Sequence, residues 1–166
     1  IRMNYININF DQHTKLVSDI IRQISNSDWR PDYVVGITRG GLSAAVMISH
    51  YFDIRMESLK ISLRDEENGS ESNLWMAEDA FNGKNILIVD DINDSGATIN
   101  WLMNDWPSGC IPQDPKWETV WNNNVRFAVL VDNLASKCSV GMDYYGMEIE
   151  KKDDDWIVFP YESWWR

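Results

Sequence analysis

Asn85-Ile86-Leu87-Ile88-Val89-Asp90-Asp91-Ile92-Asn93-Asp94-Ser95-Gly96-Ala97-Thr98 changes chemical character twice within a short stretch. Ile86 to Val89 is an unbroken aliphatic run, the pattern of a strand covered on both faces in a parallel sheet. Two carboxylates stand at its C-terminal end. Open α/β sheets bind ligands outside the carboxyl ends of their strands, so Asp90 and Asp91 are expected at the mouth of a crevice. A third carboxylate, Asp94, leads into Ser95-Gly96-Ala97-Thr98, whose small side chains leave backbone N–H groups unshielded at the start of a helix, a turn suited to a phosphate.

An earlier stretch repeats the same plan. Tyr33-Val34-Val35-Gly36-Ile37 reads as a strand that runs into Thr38-Arg39-Gly40-Gly41 and a helix from about Leu42 to Phe52. Paired glycines let the backbone approach a ligand closely, the helix N-terminus favours an anion, and Arg39 adds a permanent forked cation. A strand near Glu57 to Leu63 completes a unit that requires a right-handed crossover. Strands alternating with helices in this way predict an α/β fold with a mainly parallel twisted sheet flanked by helices.

The bounds agree with one domain over 1–166. A hydrophobic share of 44% fits a globular chain, and nine tryptophans call for large apolar surfaces or stacking sites. The net charge of −11 argues against nucleic acid or an anionic membrane as partner, since both require a basic face. Two cysteines, Cys110 and Cys138, form no disulfide framework or metal-ligand spacing, so a reducing cytoplasm is expected. No signal peptide or membrane-spanning segment is evident.

The remaining segments read more simply. Asn4 to Phe10 suggests a short edge strand with Asp11 as helix N-cap, and Leu16, Val17, Ile20, Ile21 and Ile24 form the apolar stripe of the helix that follows. His13 is expected at the surface and His50 in packing. Arg64 to Asn73 is polar and without periodicity, and a flexible loop is assigned to 64–78. Ile99 to Trp106 continues the helix after the acidic motif, with Trp101, Leu102 and Trp106 inward. Residues 105–124, with three prolines and Trp117 and Trp121, read as an insertion: a self-packed loop, an oligomer contact or a short helix near Lys116 to Trp121. Val125 to Val131 is a further buried strand.

The acidic stretch resembles the phosphoribosyl-diphosphate (PRPP) binding motif of the type I phosphoribosyltransferases: an aliphatic strand, two acids, then Asp, a small hydroxyl residue, Gly, any residue and Thr. An Ile-Leu-Ile-Val-Asp-Asp run also opens receiver domains of response regulators. Such a domain starts at that strand and needs about one average domain of chain after it, whereas most of this chain lies before Asp90. Thr38-Arg39-Gly40-Gly41-Leu42 resembles the pyrophosphate loop of the xanthine-guanine and hypoxanthine branch, which often carries a non-proline cis peptide, here expected at Thr38–Arg39. Asp155-Trp156-Ile157-Val158-Phe159-Pro160-Tyr161-Glu162 is similar to the Asp-x-Trp-Ile-x-x-Pro-Trp-Asp segment of the same branch, part of a hood over the purine.

The resemblance implies a cytoplasmic transferase of purine salvage and nucleotide metabolism that moves a 5-phosphoribosyl group from PRPP to a 6-oxopurine (guanine, xanthine or hypoxanthine) and releases pyrophosphate. It implies PRPP contacts from Thr38, Arg39, Gly40, Gly41, Asp90, Asp91, Asp94, Ser95, Gly96, Ala97 and Thr98. Asp94 would be the catalytic acid/base, with Mg²⁺ near Asp90 and Asp91. A C-terminal hood over about 133–166 would supply Trp156 and Ile157 to the base. It also implies a homo-oligomer, dimer or tetramer, and makes the 64–78 loop a lid, although Ser62-Leu63-Arg64 departs from the Ser-Tyr pair usual at its start. Relatives place a base-contacting lysine just after the penultimate core strand. Matching Ala135-Ser136-Lys137 to the family's aromatic-Ser-Lys stretch puts that lysine at Asn133, with Lys137 as the alternative. Two other functions remain open: a non-catalytic PRPP-sensing regulator of the same fold, and a phosphoribosyltransferase for another base such as orotate or adenine.

Overall fold

Residues Ile86 to Val89 send their side chains alternately into two separate apolar cores, and that alternation dictates the layering. Leu87 and Val89 join Val34, Ala128 and Leu130 on one side, while Ile86 and Ile88 join Val35, Ile37 and Phe127 on the other. A strand apolar at every position can be satisfied only by helices on both faces. The computed structural model, which describes residues 2–63 and 69–166, has this arrangement.

In chain order the elements are β1 (Asn4–Asn7), α1 (Phe10–Asn26), β2 (Tyr33–Thr38), α2 (Leu42–Phe52), β3 (Met56–Lys60), α3 (Leu74–Phe81) and β4 (Ile86–Asn93). They continue with α4 (Ala97–Gly109), a 3₁₀ helix (Pro115–Thr119), β5 (Val125–Asn133), β6 (Tyr144–Ile149), β7 (Asp155–Val158) and a last 3₁₀ turn (Pro160–Glu162). Five strands form a parallel sheet in the order β3-β2-β4-β5-β6. Helices α1 and α2 cover the face that holds Leu87 and Val89, and α3 and α4 cover the face that holds Ile86 and Ile88. Among the described residues no helix is long and apolar enough to cross a membrane.

The order reverses between β2 and β4. From β2 the chain leaves through α2 toward β3 on one side, and from β4 it leaves through α4 toward β5 on the other. Their carboxyl ends therefore diverge from adjacent positions, with Gly36 opposite Val89 in register, and open a crevice at the topological switch point.

Several sequence expectations change. The N-cap of α1 is Asn9, not Asp11: its side chain accepts from the Gln12 N–H while the Gln12 side chain accepts from the Asn9 N–H, a reciprocal capping box. The loop assigned to 64–78 ends sooner, because Asn73 caps α3 and residues 74–78 are helical. Residues 64–68 of that expected lid lie outside the described residues. The segment 105–124 begins as the last turns of α4 and then packs on itself: Trp117 is buried, its indole N–H donates to the Cys110 carbonyl at 2.8 Å, and its ring stacks on Trp121. Residues 144–149, placed in the hood range, are instead the outer strand of the main sheet. The hood sheet proper is β7 paired in parallel with β1, so the N-terminal segment completes it.

The two histidines exchange their expected places. His50 is exposed at the end of α2. His13 is buried, only 4% exposed, with Nε2 2.9 Å from Ser43 Oγ and its ring edge-on to Tyr161. Its partners lie on other elements, which local sequence cannot reveal. Burial holds the His13 imidazole below its ordinary value. In the unfolded chain this ring takes up a proton near about pH 6.5. Below that pH the unfolded state binds more protons than the folded one, so stability falls as pH falls until the lower folded-state value is passed. Denaturant unfolding at about pH 7.5 and about pH 5.5 should show a smaller acid-induced loss in His13→Gln than in the parent chain; equal losses would remove His13 from this role.

Candidate active site at the β2 and β4 switch point

The site is assembled from four pieces of chain that meet above the sheet. Strand β4 delivers Asp90 and Asp91 at its carboxyl end, and the turn after it delivers Asp94 and Ser95 to Thr98. The β2–α2 connection brings Thr38 to Gly41 alongside, and its Thr38–Arg39 peptide is cis, as expected. Residues of β7 and its continuation close the top. A cavity of about 400 Å³ results, within the usual size for a small-molecule site. Its lining includes Asp90, Asp91, Asp94, Ser95 to Thr98, Lys151, Trp156, Ile157 and Glu162.

Two glycines set the close approaches. A methyl group on Gly40 would overlap the Asp91 carboxylate, so a side chain there would have to displace that acid from its place against the β2 loop. Gly96 has φ +89° and faces the Cys138 backbone, where a Cβ would collide as well as being strained. The turn is further tied down by the Lys137 N–H donating to the Ser95 carbonyl at 3.0 Å.

Both helices that leave the site begin differently from the others. Helices α1 and α3 have their first-turn amides capped by Asn9 and Asn73. Helices α2 and α4 start at Gly41 and Gly96 with no side-chain cap bond. The first amides are met locally instead: the Gly41 and Leu42 N–H groups donate to the Ile37 and Arg39 carbonyls and the Ala97 N–H donates to Ser95 Oγ, while the positive dipole ends carry no acidic side chain in their first turns.

The carboxylates sit in contrasting surroundings. Burial, reinforced by the neighbouring Asp91 charge, pushes the Asp90 carboxyl well above the usual carboxylate range. Burial and then Asp91 also raise Glu162. Tyr161 mediates between loop and acids: its hydroxyl lies 2.9 Å from the Gly40 carbonyl and 3.0 Å from Asp91 Oδ2, and burial followed by the Asp91 charge raises its own titration strongly. One hydroxyl proton thus serves two acceptors and ties the hood to both ligand loops.

Asp94 is held differently. Lys151 Nζ lies 3.2 Å from its Oδ2, and the Asn133 amide donates to its carbonyl at 3.0 Å and to Oδ1 at 3.3 Å. The Asn133 oxygen accepts from the Ala135 and Lys151 N–H groups. The Asn133 side chain is therefore engaged with Asp94 and the main chain rather than lining the cavity, and Lys137 is exposed and also outside the lining. Trp156 presents a partly open ring to the cavity, and its neighbour Ile157, buried in the core, also borders it. Lys151 went unnoticed in the sequence because Glu150 to Asp155 reads as a solvated charge run. The usable signal was its position five residues before the Trp of the hood segment.

A parallel α/β sheet with a phosphate-type turn, an acid pair and an aromatic hood at its switch point is the frame of a nucleotide-handling domain. The phosphoribosyl transferase domain family matches residues 9–163. Over 141 residues the chain is 30% identical to a xanthine-guanine phosphoribosyltransferase of Cereibacter sphaeroides, covering 82% of this chain and 71% of that one. Over 144 residues it is 35% identical to one from Ruegeria sp., covering 81% and 69%. The fold superposes on a purine phosphoribosyltransferase crystal structure from Pyrococcus horikoshii with a TM-score of 0.69, at 23% identity over 97% of this chain and 96% of that one. The chain belongs to the phosphoribosyltransferase family.

The Tyr161 tie is separable from ligand chemistry. Tyr161→Phe keeps the ring that stacks on Phe159 but removes the hydroxyl. It should lower unfolding free energy by about 1.5–3 kcal/mol, the range for a hydrogen bond to a charged group. Denaturant titration without ligand measures it, and an unchanged midpoint would mean the hydroxyl contributes no net stability.

Proposed function

We propose that this chain is a purine phosphoribosyltransferase that transfers the 5-phosphoribosyl group of PRPP to a 6-oxopurine base and releases pyrophosphate. The observation that carries the reading is the meeting, in one cavity, of the start of α4, an acid pair, a separate carboxylate and an aromatic platform, with the Gly40-Gly41 loop at the start of α2 packed against the acid pair. The named activity of the relatives from Cereibacter sphaeroides and Ruegeria sp. supports the purine branch.

The parts divide by charge. The amides of Ser95 to Thr98 at the start of α4 receive the 5′-phosphate, and Thr38 to Gly41 at the start of α2 receive the diphosphate, with Arg39 supplying a fixed cation. Asp90 and Asp91 face the ribose hydroxyls between them. The face of Trp156 takes the base, with Ile157 also bordering that end of the cavity. Asp94 accepts the proton released from the attacking purine nitrogen, and Asn133 holds Asp94 from behind. Substrate atoms must meet in one orientation, and anchoring at both phosphate ends supplies much of that positioning.

Family members typically require Mg²⁺. Among the described residues no group of three His, Cys, Asp or Glu side chains could hold a metal by itself. Two adjacent carboxylates nevertheless suit an ion that keeps one or two protein ligands and takes the rest from substrate phosphates. Bound there, Mg²⁺ would offset negative charge on the departing pyrophosphate.

Purified chain with Mg²⁺ and PRPP, offered guanine, xanthine, hypoxanthine, adenine and orotate separately, tests the proposal through pyrophosphate release. Turnover with the 6-oxopurines is expected. Tight PRPP binding without turnover of any base would instead mark a non-catalytic PRPP-binding protein. Asp94→Asn should cut turnover by about 100-fold or more while PRPP affinity stays largely intact. Changing both Asp90 and Asp91 to Asn should weaken PRPP binding and abolish its sensitivity to a chelator; equal affinity with and without chelator in the parent chain would exclude the acid pair as the metal's seat.

A further inference from the structure

A phenol joins the roof of the cavity to its two ligand loops. Tyr161 belongs to the turn Pro160–Glu162 that follows β7, the strand that carries Trp156. Its hydroxyl lies 2.9 Å from the Gly40 carbonyl, in the loop before α2, and 3.0 Å from Asp91 Oδ2, near the end of β4. A phenol has a single proton to give, so a main-chain acceptor in one loop and a carboxylate on the other share it. Gly40 itself lies directly against that carboxylate, which brings all three groups together.

The ring that carries this hydroxyl is held from outside the loops. It lies parallel to Phe159, with centroids 5.8 Å apart and 3° between the planes, and edge-on to His13 at 6.0 Å. His13, on α1, has Nε2 2.9 Å from Ser43 Oγ in the first turn of α2, so the helix that follows the Gly40 loop is braced from the same side. Trp156 and Tyr161 stand in one short segment whose Ile157 and Phe159 are buried in the core. Settling the Trp156 end of that segment therefore also settles the phenol, and the two loops take their places from it.

We infer that the Tyr161 hydroxyl is a positioning group that couples the base end of the cavity to its diphosphate end. A base on Trp156 settles the roof, the phenol then holds the Gly40 carbonyl and Asp91 in their binding arrangement, and PRPP meets loops that are already ordered. Ordering a loop and a carboxylate costs conformational entropy, and the first ligand bears that cost, so the second binds more tightly without touching the first. Linkage makes the effect reciprocal, and PRPP raises the affinity for the base by the same factor. The inference rests on the transferase reading, which supplies both ligands. The similar segment of the purine branch has Trp where this chain has Tyr161, and so offers no phenol hydroxyl at that point.

The coupling is read at equilibrium with PRPP, Mg²⁺ and 9-deazahypoxanthine, in which a carbon replaces the attacking nitrogen and prevents turnover. Calorimetry gives the PRPP affinity with and without this analogue. The parent chain should bind PRPP about 10-fold more tightly when the analogue is present, within the usual coupling range of about 5- to 150-fold. Tyr161→Phe should bring that factor below about twofold, while PRPP affinity without the analogue falls by no more than about threefold. Tyr161→Trp removes the phenol in a second way and should lose the coupling too. Trp117→Phe deletes the indole N–H that bonds the Cys110 carbonyl, outside the cavity lining, and should lower stability while leaving the factor at its parent value. Hydrogen exchange at the Leu42 N–H, which bonds the Arg39 carbonyl, should slow at saturating analogue in the parent chain and not in Tyr161→Phe. A parent factor near one, or a factor that survives in either Tyr161 variant, overturns the inference and leaves the transferase reading intact. Binding of PRPP with no binding of any base overturns the transferase reading and the inference with it.

Discussion

The parallel pairing of Tyr33–Gly36 with Ile86–Val89 is the contact on which the rest of the molecule depends. It sets two strand ends side by side while right-handed connections send the following helices to opposite faces. A crevice must then open between the two loops, whatever side chains occupy it. Gly40 and Gly96 exploit that opening by letting main chain approach where side chains would collide. The apolar strands below are fully buried, so the loops above rest on an unyielding floor.

Electrostatics then reconciles the proposed anion site with a net charge of −11. Net charge governs the field at a distance, whereas a bound phosphate responds to groups within one Debye length, about 8 Å under physiological conditions. Backbone N–H groups at the starts of α2 and α4 carry positive potential without any ionised side chain. The acidic residues are segregated: Asp90 and Asp91 sit between the loops, and Asp94 is matched by Lys151. An acidic surface is thus compatible with phosphate recognition, provided the helix ends face inward.

What was legible in the sequence was whatever is encoded by neighbours in the chain. The strand–loop–helix units around Thr38 to Gly41 and Asp90 to Thr98 combine a buried strand, a turn and a helix start within a few residues, so periodicity and residue type suffice. The hood segment from Asp155 to Glu162 was visible by resemblance. Failures share another cause. His13 looked exposed because its partners, Ser43 and Tyr161, lie on α2 and in the hood. Strand β6 was hidden by its mixed Tyr-Tyr-Gly-Met-Glu-Ile pattern at the sheet edge, where Gly146 makes room for Leu16 of α1. Asn133 was expected at the base, but its amide faces Asp94 and the main chain, a pairing across 39 residues. Long-range polar partnerships leave no local periodicity to read.

The pairing of β1 with β7 has a consequence for how the protein is made. Asn4 and Asp155 bond to one another across 151 residues, and nothing nearer in the chain substitutes for that strand pair. During synthesis, at about 5–20 residues per second, β1 leaves the ribosome well before β7 exists. The half built on β2 and β4 can assemble while β1 waits unpaired. The aromatic roof can therefore close only after β7 has emerged, so a nascent chain reaches a stage with a formed crevice at the switch point and no Trp156 face above it.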